Sequence, residues 1–188
     1  MHPVEPYDDV SGEEIERLHT ALAELDKKIL ANAEDAAAHR QRGVLQGQLG
    51  DHIAAIKDFD AAVRIDPSDA ESFYNRGMAY IYLRQHAAAV DDFTHAIERN
   101  PTHIDAYNNR AGAFYEMGRS QEAMDDANSI LSMENTRASA FAIRALAYAQ
   151  LGDDDSAKSD KDQAQALGFD GRVLEFLIRQ EKRQRQAQ

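Results

Sequence analysis

Histidine and acidic side chains are the residues of this chain that could bind a metal ion or transfer a proton. His52 and His86 lie 34 residues apart and could stand on neighbouring helices, yet no nearby pair of carboxylates completes a ligand set. Asp35 and His39 are one helical turn apart, which is a common surface arrangement. The three aspartates at 153–155 lie at a predicted helix start, where acids interact favourably with the helix dipole. We therefore predict no metal site and no cofactor.

The chain also lacks the patterns of nucleophilic and nucleotide-dependent catalysis. It contains no cysteine, so disulfides, thiolate chemistry and zinc sites built on thiolates are excluded. It has no glycine-rich phosphate loop, no Ser-His-Asp grouping with a positional argument and no inward pair of carboxylates. We predict that the protein is not an enzyme.

Composition and charge indicate a globular, helix-permissive chain with an acidic body. Of its 188 residues, 43% are apolar and four are prolines, and the formal net charge is −12. An acidic body repels phosphate backbones, so we predict no nucleic-acid partner. No apolar run approaches the ~18 residues that a membrane span needs, and the N-terminus shows no secretion signal. We expect a cytoplasmic protein, although a chain from which a signal had been removed would look the same.

The elements that must position the remaining polar side chains recur every 34 residues. The stretch 72–80 (Ser-Phe-Tyr-Asn-Arg-Gly-Met-Ala-Tyr) returns as 106–114 (Ala-Tyr-Asn-Asn-Arg-Ala-Gly-Ala-Phe), and shorter versions occur at 38–43 and 140–145. A fixed period of this length indicates stacked copies of one supersecondary unit with two helices. Small residues, which let helices approach closely, recur at Gly43, Gly77, Ala111 and Ala145 and at Ala55, Ala89, Ala123 and Ala157.

This pattern resembles the tetratricopeptide repeat family, whose 34-residue units each form two antiparallel helices. The period, the small residues and the prolines Pro67 and Pro101 at the joins agree, whereas the family's tryptophan position holds His39, Phe73, Tyr107 and Phe141, with His39 a poor substitute. The resemblance implies an all-α fold, a right-handed α-solenoid of four helix-turn-helix units with capping helices at both ends. The units, which form one domain, are 36–69, 70–103, 104–137 and 138–171.

The N-terminal segment precedes the first complete unit. Residues 1–10 mix two prolines with acids, and we predict that they form a disordered tail. Residues 11–33 form a helix, on which Ser11 and Glu14 make a capping box. Its apolar residues are in phase with the second helices of the repeats, which favours an N-terminal capping half-repeat over the alternative of a coiled-coil seam.

The C-terminal segment 172–186 is predicted to form a helix that caps the last unit. Its apolar residues cover more than one face, which is wider than capping requires. Leu174 and Ile178 are therefore candidates for contact with a partner or a second copy of the chain.

The family resemblance implies a concave groove lined by the first helices, where a partner segment lies. Asparagine amides can hydrogen-bond a peptide backbone and tyrosines provide rigid contact area, although Asn75 and Asn109 could instead bridge neighbouring helices. The predicted groove residues are Arg40, Tyr74, Asn75, Met78, Tyr82, Asn108, Asn109, Tyr115 and Glu116.

The charges along this groove indicate what it would bind. Family members that grip Hsp70 and Hsp90 tails use a five-residue carboxylate clamp, of which this chain matches only Arg40 and Asn75. Asp105 stands at a clamp position and would repel a carboxylate, so we predict that this chaperone clamp is absent. Because Glu71, Asp105 and Glu116 line the groove, we expect a neutral or basic segment.

These observations predict a non-catalytic adaptor or scaffold that mediates protein–protein interaction by holding a peptide or partner segment in its concave groove. The alternative is a self-assembling scaffold that forms homo-oligomers through its terminal helices.

Overall fold

The computed structural model describes residues 12–187, and every regular element in that range is an α-helix. The all-α class predicted from the sequence is thus confirmed for this range. The chain divides into two compact units, one ending at Arg99 and the other beginning at Asn100, where the sequence indicated a single domain. The helices are α1 (Gly12–Ala31), α2 (Ala36–Gln48), α3 (His52–Ile65), α4 (Ala70–Tyr82), α5 (His86–Arg99), α6 (Ile104–Glu116), α7 (Ser120–Met133), α8 (Ala138–Leu151), α9 (Asp154–Ala166) and α10 (Gly171–Gln186).

Two predictions for the N-terminal end, the disordered tail 1–10 and the Ser11 half of the capping box, lie outside the described residues. Helix α1 packs against α2, and Leu25 is its buried side chain. Leu25 lies one repeat period, 34 residues, before Phe59 of α3, and both side chains are buried. Helix α1 therefore buries the residue that corresponds to the buried residue of a second helix.

Helix ends are set by acidic caps and by left-handed residues. The Asp153 side chain accepts a hydrogen bond from the Ser156 amide, so the aspartate run caps α9 as predicted. Gly50, Gly118 and Gly152 close first helices with φ of 78°, 71° and 89°. Arg84 holds the corresponding place after α4 with φ of 57°, a conformation that glycine adopts at less cost. Aspartate side chains also cap α2, α3, α4 and α10, at Asp35, Asp51, Asp69 and Asp170.

Helices α4 and α5 pack closely because Gly77 has no side chain. A Cβ atom at Gly77 would lie 2.8 Å from Cε1 of Phe93, whose side chain is fully buried. The same geometry recurs between Gly43 and Phe59 in the preceding helix pair. Glycine therefore occurs on the first helix where the second helix presents phenylalanine. The close approach of each glycine to a phenylalanine ring supports the prediction that these glycines let the helices pack closely.

A buried ion pair, which sequence analysis missed, recurs between the two helices of each pair. Arg76 of α4 donates two hydrogen bonds to Asp92 of α5, at 2.8 and 2.7 Å, and a third to the exposed Asp60 of α3. Burial raises the pKa of Asp92 above its ordinary value, and the hydrogen bonds from Arg76 oppose part of that rise. Such bidentate contacts between a guanidinium and a carboxylate are among the stronger hydrogen bonds in proteins. The equivalent pairs are Arg42–Asp58, Arg110–Asp126 and Arg144–Asp160.

His39 occupies the aromatic place of its helix pair but makes polar contacts. Its Nδ1 lies 3.0 Å from Oδ1 of Asp58, and its Nε2 lies 3.1 Å from the carbonyl oxygen of Ala33. The side chain is buried, so the interpretation of Asp35 and His39 as a surface arrangement is wrong. A histidine suits this place because it satisfies a buried carboxylate that a phenyl ring could not.

Candidate peptide-binding surface

In the unit that ends at Arg99, α2, α3 and α4 border an open cavity of about 290 Å³. The structure brings four of the predicted groove residues together here. Tyr74, Asn75, Met78 and Tyr82 of α4 line it, opposite α2 and α3. The remaining lining residues are Gly43, Val44, Gly47, Gln48, His52, Ala55, Phe59 and Ala79.

Gly47 of α2 lines the cavity and presents no side chain to it. A Cβ atom built at Gly47 would meet nothing within 4 Å. Ala55 and Phe59, which are both buried, also line the cavity and make it apolar, and Gln48 adds a carboxamide. This combination of apolar surface with a few polar groups is typical of ligand-binding clefts.

His52 and Tyr82 form one wall of this cavity, a contact that the sequence did not reveal. Their rings stack with centroids 4.4 Å apart and planes inclined by 4°. Burial lowers the pKa of His52, so the ring is neutral at neutral pH. From the sequence, His52 was a candidate partner of His86 in a metal pair, whereas in the structure its ring stacks on Tyr82.

Asn75 is held within its own helix. Its Nδ2 donates a 2.8 Å hydrogen bond to the carbonyl oxygen of Glu71, one turn earlier on α4. The sequence left open that Asn75 bridges two helices, but this hydrogen bond lies within α4. Asn75 remains on the cavity lining, with its carboxamide oriented by the helix.

Arg40 does not line the cavity that the four residues of α4 border. It borders a second opening of about 610 Å³ between α1 and α2, together with Leu25 and Val44. Its Nε lies 2.9 Å from Oδ2 of Asp69, the residue that caps α4. The positive charge that the sequence placed in the groove is thus opposed by a carboxylate of the chain itself.

The remaining predicted groove residues belong to α6, in the unit that begins at Asn100. Asn108 and Asn109 are half-buried and Glu116 is exposed. Tyr115 is half-buried, and its hydroxyl donates a 2.6 Å hydrogen bond to Oε1 of Glu181 on α10. Asp105, which the sequence identified as a repulsive groove charge, pairs with Arg137 at 2.5 Å.

The prediction that Leu174 and Ile178 are left for a partner is corrected by the structure. Leu174 is fully buried and Ile178 is 6% exposed, and both pack against α8 and α9. The apolar cluster that buries them comes mostly from α8, with two alanines of α9, while Lys161 of α9 binds Glu175 of α10. The exposed apolar residues of α10 are Val173 and Phe176, at 50% and 58%.

The contact between Tyr115 and Glu181 predicts a pH dependence of stability. Burial, and then the hydrogen bond to Glu181, raise the pKa of Tyr115 above its ordinary value of about 10. The folded state thus retains the proton, and this stabilisation, complete below pH ~10, is lost as the pH rises further. In urea unfolding at pH 8 and 10.5, Tyr115→Phe should lose less stability than the unmodified chain. Tyr82→Phe, which alters an exposed ring, should lose as much free energy of unfolding between the two pH values as the unmodified chain does. Equal losses in all three proteins would contradict this account.

Residues 12–187 show neither a cluster of metal-ligating side chains nor a helix that could span a membrane. Among these residues, no three histidine or acidic side chains converge as a metal ion would require. None of the helices is both long and apolar enough to cross a bilayer.

Comparisons with known proteins identify the class that this repeated helix pair defines. Three family profiles match the chain: Tetratricopeptide repeat over 70–103, TPR repeat over 48–83 and Tetratricopeptide repeat over 93–125. The comparison with curated proteins gave no match. The helical pairing and these matches together define a protein-interaction scaffold of the helical-repeat class.

Solved structures share this fold. A crystal structure of MamA is 22% identical, covers 84% of this chain and 95% of its own, and gives a TM-score of 0.77. A crystal structure of YrrB, a TPR protein with an unusual peptide-binding site, is also 22% identical with a TM-score of 0.77, over 91% of this chain and 86% of its own. At such identity the likeness shows the fold. With the family matches, it identifies the chain as a tetratricopeptide repeat protein with an all-α solenoid fold.

Proposed function

We propose that this protein is a non-catalytic adaptor that holds a peptide or partner segment against its first helices. The observation that carries the proposal is the cavity bordered by α2, α3 and α4, which four sequence-predicted residues and Gly47 line. The peptide-binding site of YrrB, a protein of the same fold, agrees with this use of the fold.

The lining of the cavity defines the segment that would fit. Met78, Ala55 and Phe59 offer apolar surface for one aliphatic side chain, while Asn75 and Gln48 offer carboxamides to the adjacent peptide backbone. The net charge of −12 favours association with neutral or basic segments over acidic ones. The ligand we propose is thus an extended neutral or basic segment with an aliphatic anchor.

Substitution of Gly47 tests this proposal with little risk to the fold. Leucine at this position would extend into the cavity, whereas alanine would leave most of it free. Both replacements favour the helix, because glycine costs roughly 1 kcal/mol relative to alanine there. Phage-displayed 12-residue peptides selected on the unmodified protein should bind Gly47→Leu at least ~10-fold more weakly, a loss of about 1.4 kcal/mol, by isothermal titration calorimetry.

Gly47→Ala is the matched control and should keep the affinity of the unmodified protein. Enriched peptides that bind Gly47→Leu as tightly as Gly47→Ala would move the binding surface away from this cavity. A selection that enriches no sequence would count against peptide binding by this unit. Among enriched peptides, replacing a lysine with glutamate should weaken binding if the charge preference holds.

Self-assembly remains a second candidate, and its proposed contact now moves to another face of α10. Val173 and Phe176 are exposed on that helix, in place of the buried Leu174 and Ile178. Light scattering after size-exclusion chromatography should give a larger mass for the unmodified chain than for Val173→Ser/Phe176→Ser. A monomeric mass for both at high micromolar concentration would reject this candidate.

A further inference from the structure

Helix α10 does not pack as the next first helix of the series would. Helix α4 packs more extensively on the preceding second helix, α3, than on the preceding first helix, α2. Helix α8 likewise packs more on α7 than on α6. Helix α10 reverses this order and packs more on the first helix α8 than on the second helix α9. It therefore lies across a face of α8 rather than simply extending the series of helices.

On α8, the residues that pack against α10 occupy the repeat positions at which α4 has predicted groove residues. Ala142 and Leu146 follow Tyr74 and Met78 by two repeat periods in the sequence. Tyr74 and Met78 line the open cavity of their own unit, whereas Ala142 and Leu146 are buried in one cluster with α10. In its own unit, α10 thus occupies the places that a partner segment would contact.

The contacts of α10 resemble those of a bound ligand. Leu174 and Ile178, one turn apart, bury their side chains against α8 and α9, and Glu181 accepts the hydrogen bond from Tyr115. Lys182 and Arg185 pair with Asp154 at 3.2 and 2.8 Å. These last ion pairs are partly exposed, and such pairs contribute little to stability. Leu177 packs against the same cluster, and Lys161 of α9 donates a 2.7 Å hydrogen bond to Glu175. The attachment thus combines a short aliphatic face with two side-chain hydrogen bonds, those of Glu175 and Glu181.

We propose that α10 is a displaceable intramolecular ligand, and that the partner that replaces it is a basic amphipathic helix with the same pattern. That pattern is an aliphatic residue, a second one four positions later and an acid seven positions later, as in Leu174, Ile178 and Glu181. The segment 172–188 carries five basic and two acidic residues, so its charge complements the acidic chain. The inference rests on the proposed function, because it assumes that first helices present the binding surface.

The test uses the full chain and a fluorescein-labelled peptide of residues 170–187. In the unmodified protein, α10 competes at the millimolar effective concentration typical of a tethered segment, so the peptide should bind weakly. Leu174→Asp/Ile178→Asp should release α10 and raise the affinity for the peptide at least ~10-fold in fluorescence anisotropy. Arg172→Asp/Gln180→Asp places two aspartates at exposed positions of the helix and should bind as weakly as the unmodified chain.

Hydrogen exchange of the unmodified chain provides a second readout that needs no substitution. Amides of α10 should exchange at least ~10-fold faster than those of α8 and α9, through an opening that leaves those two helices protected. Equal protection of α8 and α10 would show that α10 is an integral cap and would overturn the proposal. If Leu174→Asp/Ile178→Asp unfolds, the exchange experiment alone decides between the two. Failure of the peptide to bind a folded, released variant would overturn it as well.

The two proposals fail in different ways. If the anisotropy and exchange experiments overturn the displacement of α10 but Gly47→Leu still weakens binding of the selected peptides, the proposed adaptor function stands. If no selected peptide responded to Gly47→Leu, the proposed function would fail in the α2–α4 cavity, whatever α10 does.

Discussion

A chain in which leucine replaces Gly77 is expected to lose the folded structure of the unit that ends at Arg99. The Cβ atom alone would lie 2.8 Å from a ring carbon of Phe93, a side chain that is fully buried. Leucine adds three further carbons to this contact, so the penalty should exceed the 1–3 kcal/mol that is typical of smaller overpacking changes. Circular dichroism should show loss of helix at temperatures where the unmodified chain is folded.

Alanine replacements at two glycines separate the steric effect from helix propensity. At Gly112 of α6, a Cβ atom would meet nothing within 4 Å, so Gly112→Ala should stabilise by about 0.5–1 kcal/mol. At Gly77 the same change should destabilise by roughly 1–3 kcal/mol, because the contact with Phe93 outweighs the propensity gain. The melting temperatures should shift in opposite directions. A Gly77→Leu protein that melts with the unmodified chain would refute this account of the repeat.

Removal of the Asp92 carboxylate is the second change from which a large effect is expected. Asp92 is 4% exposed at its side chain and accepts two hydrogen bonds from Arg76. Asp92→Ala would leave a largely buried guanidinium with Asp60 as its remaining carboxylate, and stranding one partner of a buried pair costs about 3–5 kcal/mol. At 2–4 °C per kcal/mol for a chain of this size, the melting temperature should fall by roughly 6–20 °C.

Asp60 provides the matched control because it binds the same arginine from an exposed position. Its side chain is 53% exposed, so Asp60→Ala should cost about 0–1 kcal/mol. Arg76→Met/Asp92→Leu, which removes both charges and retains volume, should cost much less than Asp92→Ala. Urea unfolding of the four proteins measures these differences. Similar losses for Asp60→Ala and Asp92→Ala would show that burial does not set the strength of this pair.

Part of the candidate binding surface could be predicted from the sequence because the 34-residue period carries it. Tyr74, Asn75, Met78 and Tyr82 lie on one helix at helical spacing, and the cavity that they line is bordered by the first helix one period earlier. Arg40 fits the same pattern by position, yet it pairs with Asp69. Position within a repeat fixes where a residue lies, but it does not fix which neighbour its side chain contacts.

The 34-residue period also contains a recurring pair of opposite charges from which the ion pairs could have been predicted. Arginines recur at 42, 76, 110 and 144, and aspartates recur at 58, 92, 126 and 160, always 16 positions later. A repeated opposite charge at constant separation on paired helices indicates an ion pair between them. The pairing could therefore have been predicted from the printed chain, whereas its burial could not.

The sequence by itself determined the helix pairs and the glycines that let them approach, because both depend on local pattern and on residue size repeated at a fixed interval. Only the tertiary structure decided how α10 is turned, and so which of its apolar residues are buried and that Glu181 meets Tyr115, 66 positions away. The stacking of His52 on Tyr82 was decided in the same way. Such contacts depend on the angles at which helices cross, and those angles come from the packing of all their side chains together.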